Sequence, residues 1–128
     1  MGVLDNFKAA IDQIAELPEA ERIDAINAIK LMLHEISPFK TEPVDCVLWV
    51  PSDEVVANDY NPNKVAPPEM RLLELSIKED GYTQPIVAFG RNHHYEVVDG
   101  FHRNRVGKEC PAIRERIRGY LPITIINS

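Results

Sequence analysis

The chain has 128 residues, of which 45% are hydrophobic and 27% charged, and its formal net charge is −6. That length allows one domain with a single core and is too short for two conventional ones. The acidic balance argues against a general nucleic-acid coat, and the absence of a bilayer-spanning apolar run or a signal pattern predicts a soluble cytoplasmic protein with no membrane partner.

Two helices are predicted first. Leu4, Phe7, Ile11, Ile14 and Ala15 recur at helical spacing, and Leu17-Pro18 breaks the pattern, with Pro18 suited to a first helical position. The second helix is predicted from about Glu19 to Ile36, with Ile23, Ile26, Ile29, Leu33 and Ile36 on one broad face, and Ser37-Pro38 ends it. Such a hairpin is expected to complete the core of its own domain; the alternative is a dimerisation or partner-docking element. Residues 37–45 read as a polar linker. The chain thus divides into a helical extension over 1–40 and a domain over 46–126.

In that domain Cys46 to Val50 reads as a strand closed by Pro51, and Ser52 to Val56 leads into the rigid loop Asn61-Pro62-Asn63. Pro67-Pro68 starts a helix with Met70, Leu73 and Ile77 on its apolar face and Gly81 as its stop. Pro85 to Phe89 and His94 to Val98 form a predicted hairpin across Gly90-Arg91-Asn92-His93. A helix to about Lys108, another from about Ala112 to Arg118 and a last strand, Ile123 to Ile126, follow. The fold class is α+β.

Positive charge gathers late in the chain. Residues 1–60 carry a net −8 and residues 61–128 a net +2, with Arg103, Arg105, Lys108, Arg114, Arg116 and Arg118 supplying most of it. Arg114, Arg116 and Arg118 read as a solvated helix face balanced by Glu109 and Glu115. Cys46 and Cys110 match no metal or redox spacing and read as reduced thiols. A zinc site would need His93, His94, His102 and Cys110 to converge, and no ligand spacing supports it, so no metal-binding residues are assigned.

The run Tyr95-Glu96-Val97-Val98-Asp99-Gly100-Phe101-His102-Arg103 carries the chemistry. A strand stops at Asp99-Gly100 and turns directly into a helix. A glycine there lets backbone approach a ligand, the first helical N–H groups lack partners, and Arg103 can fold back with a forked cationic donor. These are the parts of a phosphate site; a tight turn with a surface arginine is the plainer alternative. Asp99 could cap the helix or help hold Mg²⁺ beside a polyphosphate. His102 could bond a phosphate oxygen or fill the turn. Asn61, Asn63 and Gln84 could read a base or ribose, or make Asx turns and a polar strand entry.

The order of these segments resembles the ParB/sulfiredoxin domain: Asn61-Pro62-Asn63, a helix ending at Gly81, Gln84-Pro85-Ile86, then Gly100-Phe101-His102-Arg103. The resemblance covers roughly residues 46 to 126. It implies a small mixed sheet with packed helices. It also implies a nucleoside di- or triphosphate of the ATP, CTP or ADP type, with Mg²⁺. Gly100, Phe101, His102, Arg103 and Arg105 would lie at the phosphates, with Gln84, Asn61 and Asn63 nearby. Sulfiredoxins carry a cysteine where this chain has Phe101, so the thiolate of their reaction is missing. Partitioning ParB proteins carry a further Glu- and Asn-bearing motif and then helix-turn-helix modules. Residues up to Ser128 show no equivalent, which favours nucleotide binding over hydrolysis and supplies no DNA-reading element.

The N-terminal helices most resemble those of the bacterial immunoglobulin-binding regulator B group. That implies a transcriptional or DNA-transaction regulator that acts with a partner resembling phosphoadenosine-phosphosulfate reductases. DNA would be touched indirectly or weakly, and a homodimer is an option. The enzyme alternative is nucleotide hydrolysis or phosphoryl transfer, resembling the ATPase and free-serine-kinase branches, with Asp99 as the catalytic candidate. A ParB-like DNase ranks last, because no clustered acids suggest a two-metal site.

Overall fold

The computed structural model describes residues 2–57 and 67–127; Asn61 and Asn63 fall outside them. The chain divides into two units, Met1–Lys40 and Thr41–Ser128.

The first unit holds α1 (Val3–Ile14) and α2 (Glu19–Glu35). The Asp5 carboxylate accepts the Gly2 N–H at 3.0 Å and so satisfies one donor at the start of α1. Pro18 sits one residue before α2, not in its first turn, and its carbonyl accepts the Arg22 N–H. Neither helix has a buried residue. The expectation that Ile26, Leu33 and Ile36 complete a core is therefore corrected: all three are exposed, and Ile23 and Ile29 are half-buried.

The second unit runs β1 (Leu48–Pro51), β2 (Val55–Val56), α3 (Pro67–Asp80), β3 (Ile86–Arg91), β4 (His94–Asp99), α4 (Phe101–Glu109), α5 (Pro111–Arg116) and β5 (Tyr120–Ile126). The strands form one mixed sheet in the order β1-β5-β3-β4-β2. β3 and β4 pair antiparallel as the predicted hairpin, tightened to the two residues Asn92-His93, with His93 at φ 65°. β5 lies between β1 and β3, antiparallel to the first and parallel to the second. Leu121, Pro122, Ile123 and Thr124 are buried in succession, so β5 is covered on both faces of the sheet.

Local chemistry sets the helix ends. Gly81, at φ 79°, donates its N–H to the Ile77 carbonyl and stops α3. The Arg116 guanidinium reaches across from α5 and donates to the Ile77 carbonyl at 2.8 Å and the Lys78 carbonyl at 3.0 Å. Arg116 thus lies exposed, as its spacing suggested, and also serves as a tertiary cap on α3.

Two buried clusters make the core. Leu48, Val50, Val55, Ile86, Val97, Leu121 and Ile123 form the larger one with Cys46, and Ile77, Val106, Cys110 and Ile113 the smaller. Tyr82 and Ile117 pack against both and join them. Gly107 lets α4 sit close to this junction. A Cβ there would lie 2.4 Å from the Tyr82 hydroxyl and 2.5 Å from Leu121 Cδ2. Gly107→Ala should gain about 1 kcal/mol of helix propensity yet lose stability overall, because overpacking costs about 1–3 kcal/mol. Denaturant melts should show a net loss that shrinks in a Tyr82→Phe background, where one of the two obstructing atoms is gone.

Candidate functional site

β4 carries a bulge just before its end. Val87 pairs with Asp99 and Ala88 with Val97, so Val98 is the extra residue and the strand kinks there. The chain then turns at Gly100, with φ 94° and ψ 29°, and enters α4 at Phe101. The turn is possible because Gly100 is both left-handed and crowded. A Cβ would stand 2.9 Å from Arg103 Nη2 and 3.2 Å from the Ile86 Cα. The Asn104 N–H is the first to close a helical bond, to the Gly100 carbonyl. The N–H groups of Phe101, His102 and Arg103 therefore form the open donor end of the helix.

Arg103 folds back over the turn, as its position in the first turn allows. Its Nη2 donates to the Pro85 carbonyl at 3.2 Å and stands 3.5 Å from Asp99 Oδ2. Its Nε is buried and unpaired. Asp99 is the exposed member of this pair, at 74% against 21% for Arg103. Asp99 does not cap α4: Gly100 holds the cap position, and no side-chain cap bond forms. Among the described residues no group of three His, Cys, Asp or Glu could hold a metal.

The remaining candidates separate. The Phe101 ring packs against the larger core cluster, which leaves its main-chain N–H as its only group at the turn. His102 is half-buried in the first turn of α4. Arg105 is exposed and paired with Glu109 at 3.1 Å, one turn along the helix. Gln84 is exposed on the short segment between Tyr82 and Pro85.

That segment is tied to Arg103 at both ends, which no motif announced. The Pro85 carbonyl takes the Arg103 guanidinium, and the Tyr82 hydroxyl donates to the Arg103 main-chain carbonyl at 2.7 Å. Burial pushes the Tyr82 hydroxyl up to about 12, against the lowering fields of Arg103 and Arg116, so it stays a donor at neutral pH. The Trp49 ring meets Tyr82 edge-on at 6.5 Å. Further along α4 the Lys108 ammonium donates to the Val55 carbonyl at the start of β2, and burial lowers its pKa despite nearby Asp53. Asn104 is buried with its side-chain Oδ1 unpaired. Sequence reasoning missed Tyr82, Asn104 and Gly107; a glycine inside a predicted helix was the one available signal.

The site is thus a left-handed glycine between a bulged strand and a helix, roofed by a folded-back arginine, in a small α+β domain with a mixed sheet. The sequence pattern of the ParB N-terminal domain matches residues 34–120, and the chain belongs to that family. The uncharacterized protein YbdM of Escherichia coli (strain K12) is 53% identical over 114 residues, covering 88% of this chain and 54% of that protein. The chain thus spans about half the length of this curated relative. Solved structures share the fold, a bacterial and a plant protein among them. C-terminally truncated chromosome-partitioning ParB from Caulobacter crescentus, complexed with CTP-γ-S, superposes with a TM-score of 0.52 at 21% identity. That match covers 64% of this chain and 44% of ParB. Sulfiredoxin from Arabidopsis thaliana gives 0.51 at 14% identity, over 64% of this chain and 85% of its own.

Proposed function

We propose that this chain is a nucleotide-binding regulatory module, with the phosphates held at the turn from Gly100 to Arg103. The supporting observation is the Gly100 cradle itself. Only glycine fits between the Arg103 guanidinium and the Ile86 backbone there, three helix N–H groups open at the turn, and that guanidinium, with its unpaired buried Nε, lies beside them. The CTP-γ-S complex of the ParB that shares the fold adds weight to a nucleotide as the ligand. Gln84 would contact the sugar or base from its exposed segment. When bound, Mg²⁺ would neutralise phosphate charge, and Asp99 is the carboxylate at the turn that could help hold it. Regulation through a partner resembling phosphoadenosine-phosphosulfate reductases, with DNA touched at most indirectly, rests on the likeness to the immunoglobulin-binding regulator B group.

A second reading, phosphoryl transfer or nucleotide hydrolysis with Asp99 as base or metal ligand, draws on the exposure of Asp99 at the mouth of the turn. One variant separates the two. If Asp99 only repels the ligand and competes for Arg103, Asp99→Asn should strengthen nucleotide binding by about two- to fivefold, the scale of an exposed charge pair. If Asp99 holds Mg²⁺ for catalysis, the same change should weaken Mg²⁺-dependent binding and abolish turnover. Calorimetric titration with ATP, CTP and ADP, with and without Mg²⁺, reads the sign. Absence of binding by all three in the wild type would overturn the nucleotide assignment.

A further inference from the structure

A row of hydrogen bonds runs from Tyr82 through the first turn of α4 to the open end of that helix. The Tyr82 hydroxyl donates to the Arg103 carbonyl at 2.7 Å, and that carbonyl shares a peptide unit with the Asn104 N–H. The Asn104 N–H donates in turn to the Gly100 carbonyl at 2.9 Å, which shares its peptide unit with the Phe101 N–H. Phe101 is the first residue of α4, and its N–H is one of the open donors at the turn. Hydrogen bonds in series polarise one another, by roughly 10–30% per bond, so a donor added at one end strengthens the donor at the other.

From this row we infer that Tyr82 is a positioning residue for the phosphate site, whose hydroxyl polarises and orients the Phe101 N–H without touching the ligand. The inference rests on the nucleotide reading above. The hydroxyl has a fixed place, because the Tyr82 ring packs against both core clusters and meets the Trp49 ring edge-on at 6.5 Å. Its bond to Arg103 is not needed to satisfy a buried acceptor, since in an α-helix that carbonyl already takes the N–H of Gly107, four residues on. Room for the extra donor comes from Gly107, where a Cβ would lie 2.4 Å from the hydroxyl. A glycine inside a helix is a poor helix former, so the space is kept against local propensity. With its pKa pushed up to about 12 by burial, the phenol remains a donor across the neutral range. The effect is selective. The peptide units that hold the His102 and Arg103 N–H groups carry the Phe101 and His102 carbonyls, which the helical pattern pairs with Arg105 and Val106. Neither of those rows includes Tyr82.

Amide NMR and calorimetric titration of Tyr82→Phe test this. Phenylalanine keeps the ring, with its packing and ring current, and removes only the hydroxyl. In the ligand-free protein the amide protons of Asn104 and Phe101 should move upfield, while those of His102 and Arg103 stay in place. Affinity for pyrophosphate, ATP, CTP and ADP should fall about two- to fivefold, with helical circular dichroism unchanged. An unmoved Phe101 amide, or equal shifts of all four amides, overturns the relay. So does wild-type affinity in a variant whose Phe101 amide has moved. A wild type that binds none of the four probes overturns the nucleotide reading itself, and the role of Tyr82 at the site falls with it.

Discussion

Arg103→Ala should weaken nucleotide binding by about ten- to a hundredfold for each charge-assisted bond lost, each worth about 1.5–3 kcal/mol. The guanidinium lies against the Gly100 turn and beside the open helix N-terminus, so phosphate charge there loses its nearest cation. The side chain also braces the fold. Removing it leaves the Pro85 carbonyl without its donor and empties the space above Gly100, at a stability cost of about 1–3 kcal/mol. Arg103→Lys separates the two effects, because lysine keeps the charge but cannot supply the planar fork. Thermal melts beside calorimetric titrations with ATP, CTP and ADP give both readouts. Affinity unchanged in the alanine variant would remove Arg103 from the site.

Gly100→Val should strongly destabilise the second unit. A β-branched residue at φ 94° meets backbone strain of about 1–2 kcal/mol or more. Its Cβ also collides with Arg103 Nη2 at 2.9 Å and with the Ile86 backbone at 3.2 Å, which adds a further cost of about 1–3 kcal/mol. The arginine end can swing aside; the Ile86 Cα belongs to a paired strand and cannot. A loss of about 3 kcal/mol is a large share of a small domain's stability and should lower Tm by roughly 10–20 °C. Gly100→Ala, with the same collision but no branching, should fall between valine and wild type. A valine variant melting within a degree or two of wild type would refute the crowded, left-handed turn.

The sequence by itself determined the place of the turn and, apart from the two-residue β2, the succession of elements in the second unit, because both depend on local signals. Gly81 and Gly100 supply left-handed backbone, and Pro51 and the Pro67-Pro68 pair punctuate strand and helix. Two short runs, Pro85 to Phe89 and His94 to Val98, on either side of Gly90-Arg91-Asn92-His93 marked β3 and β4. These are properties of a few neighbouring residues and need no tertiary partner.

Tertiary structure decided what those elements touch. Pattern along the chain does not say that β5 inserts between β1 and β3, since the pairing joins residues far apart in sequence. Nor does it reveal that Arg103 is held by Pro85, that Tyr82 bonds the Arg103 carbonyl, or that Gly107 makes room for Tyr82. Each contact spans a sequence gap that only the packing of α4 on the sheet closes. Asp99 shows the limit from the other side: its sequence position suits a helix cap, but the bulge at Val98 and the cap role of Gly100 leave its carboxylate exposed beside Arg103. The N-terminal helices were legible as helices from their period, yet the burial of their apolar face was not, because periodicity identifies a face and only a packed neighbour covers it.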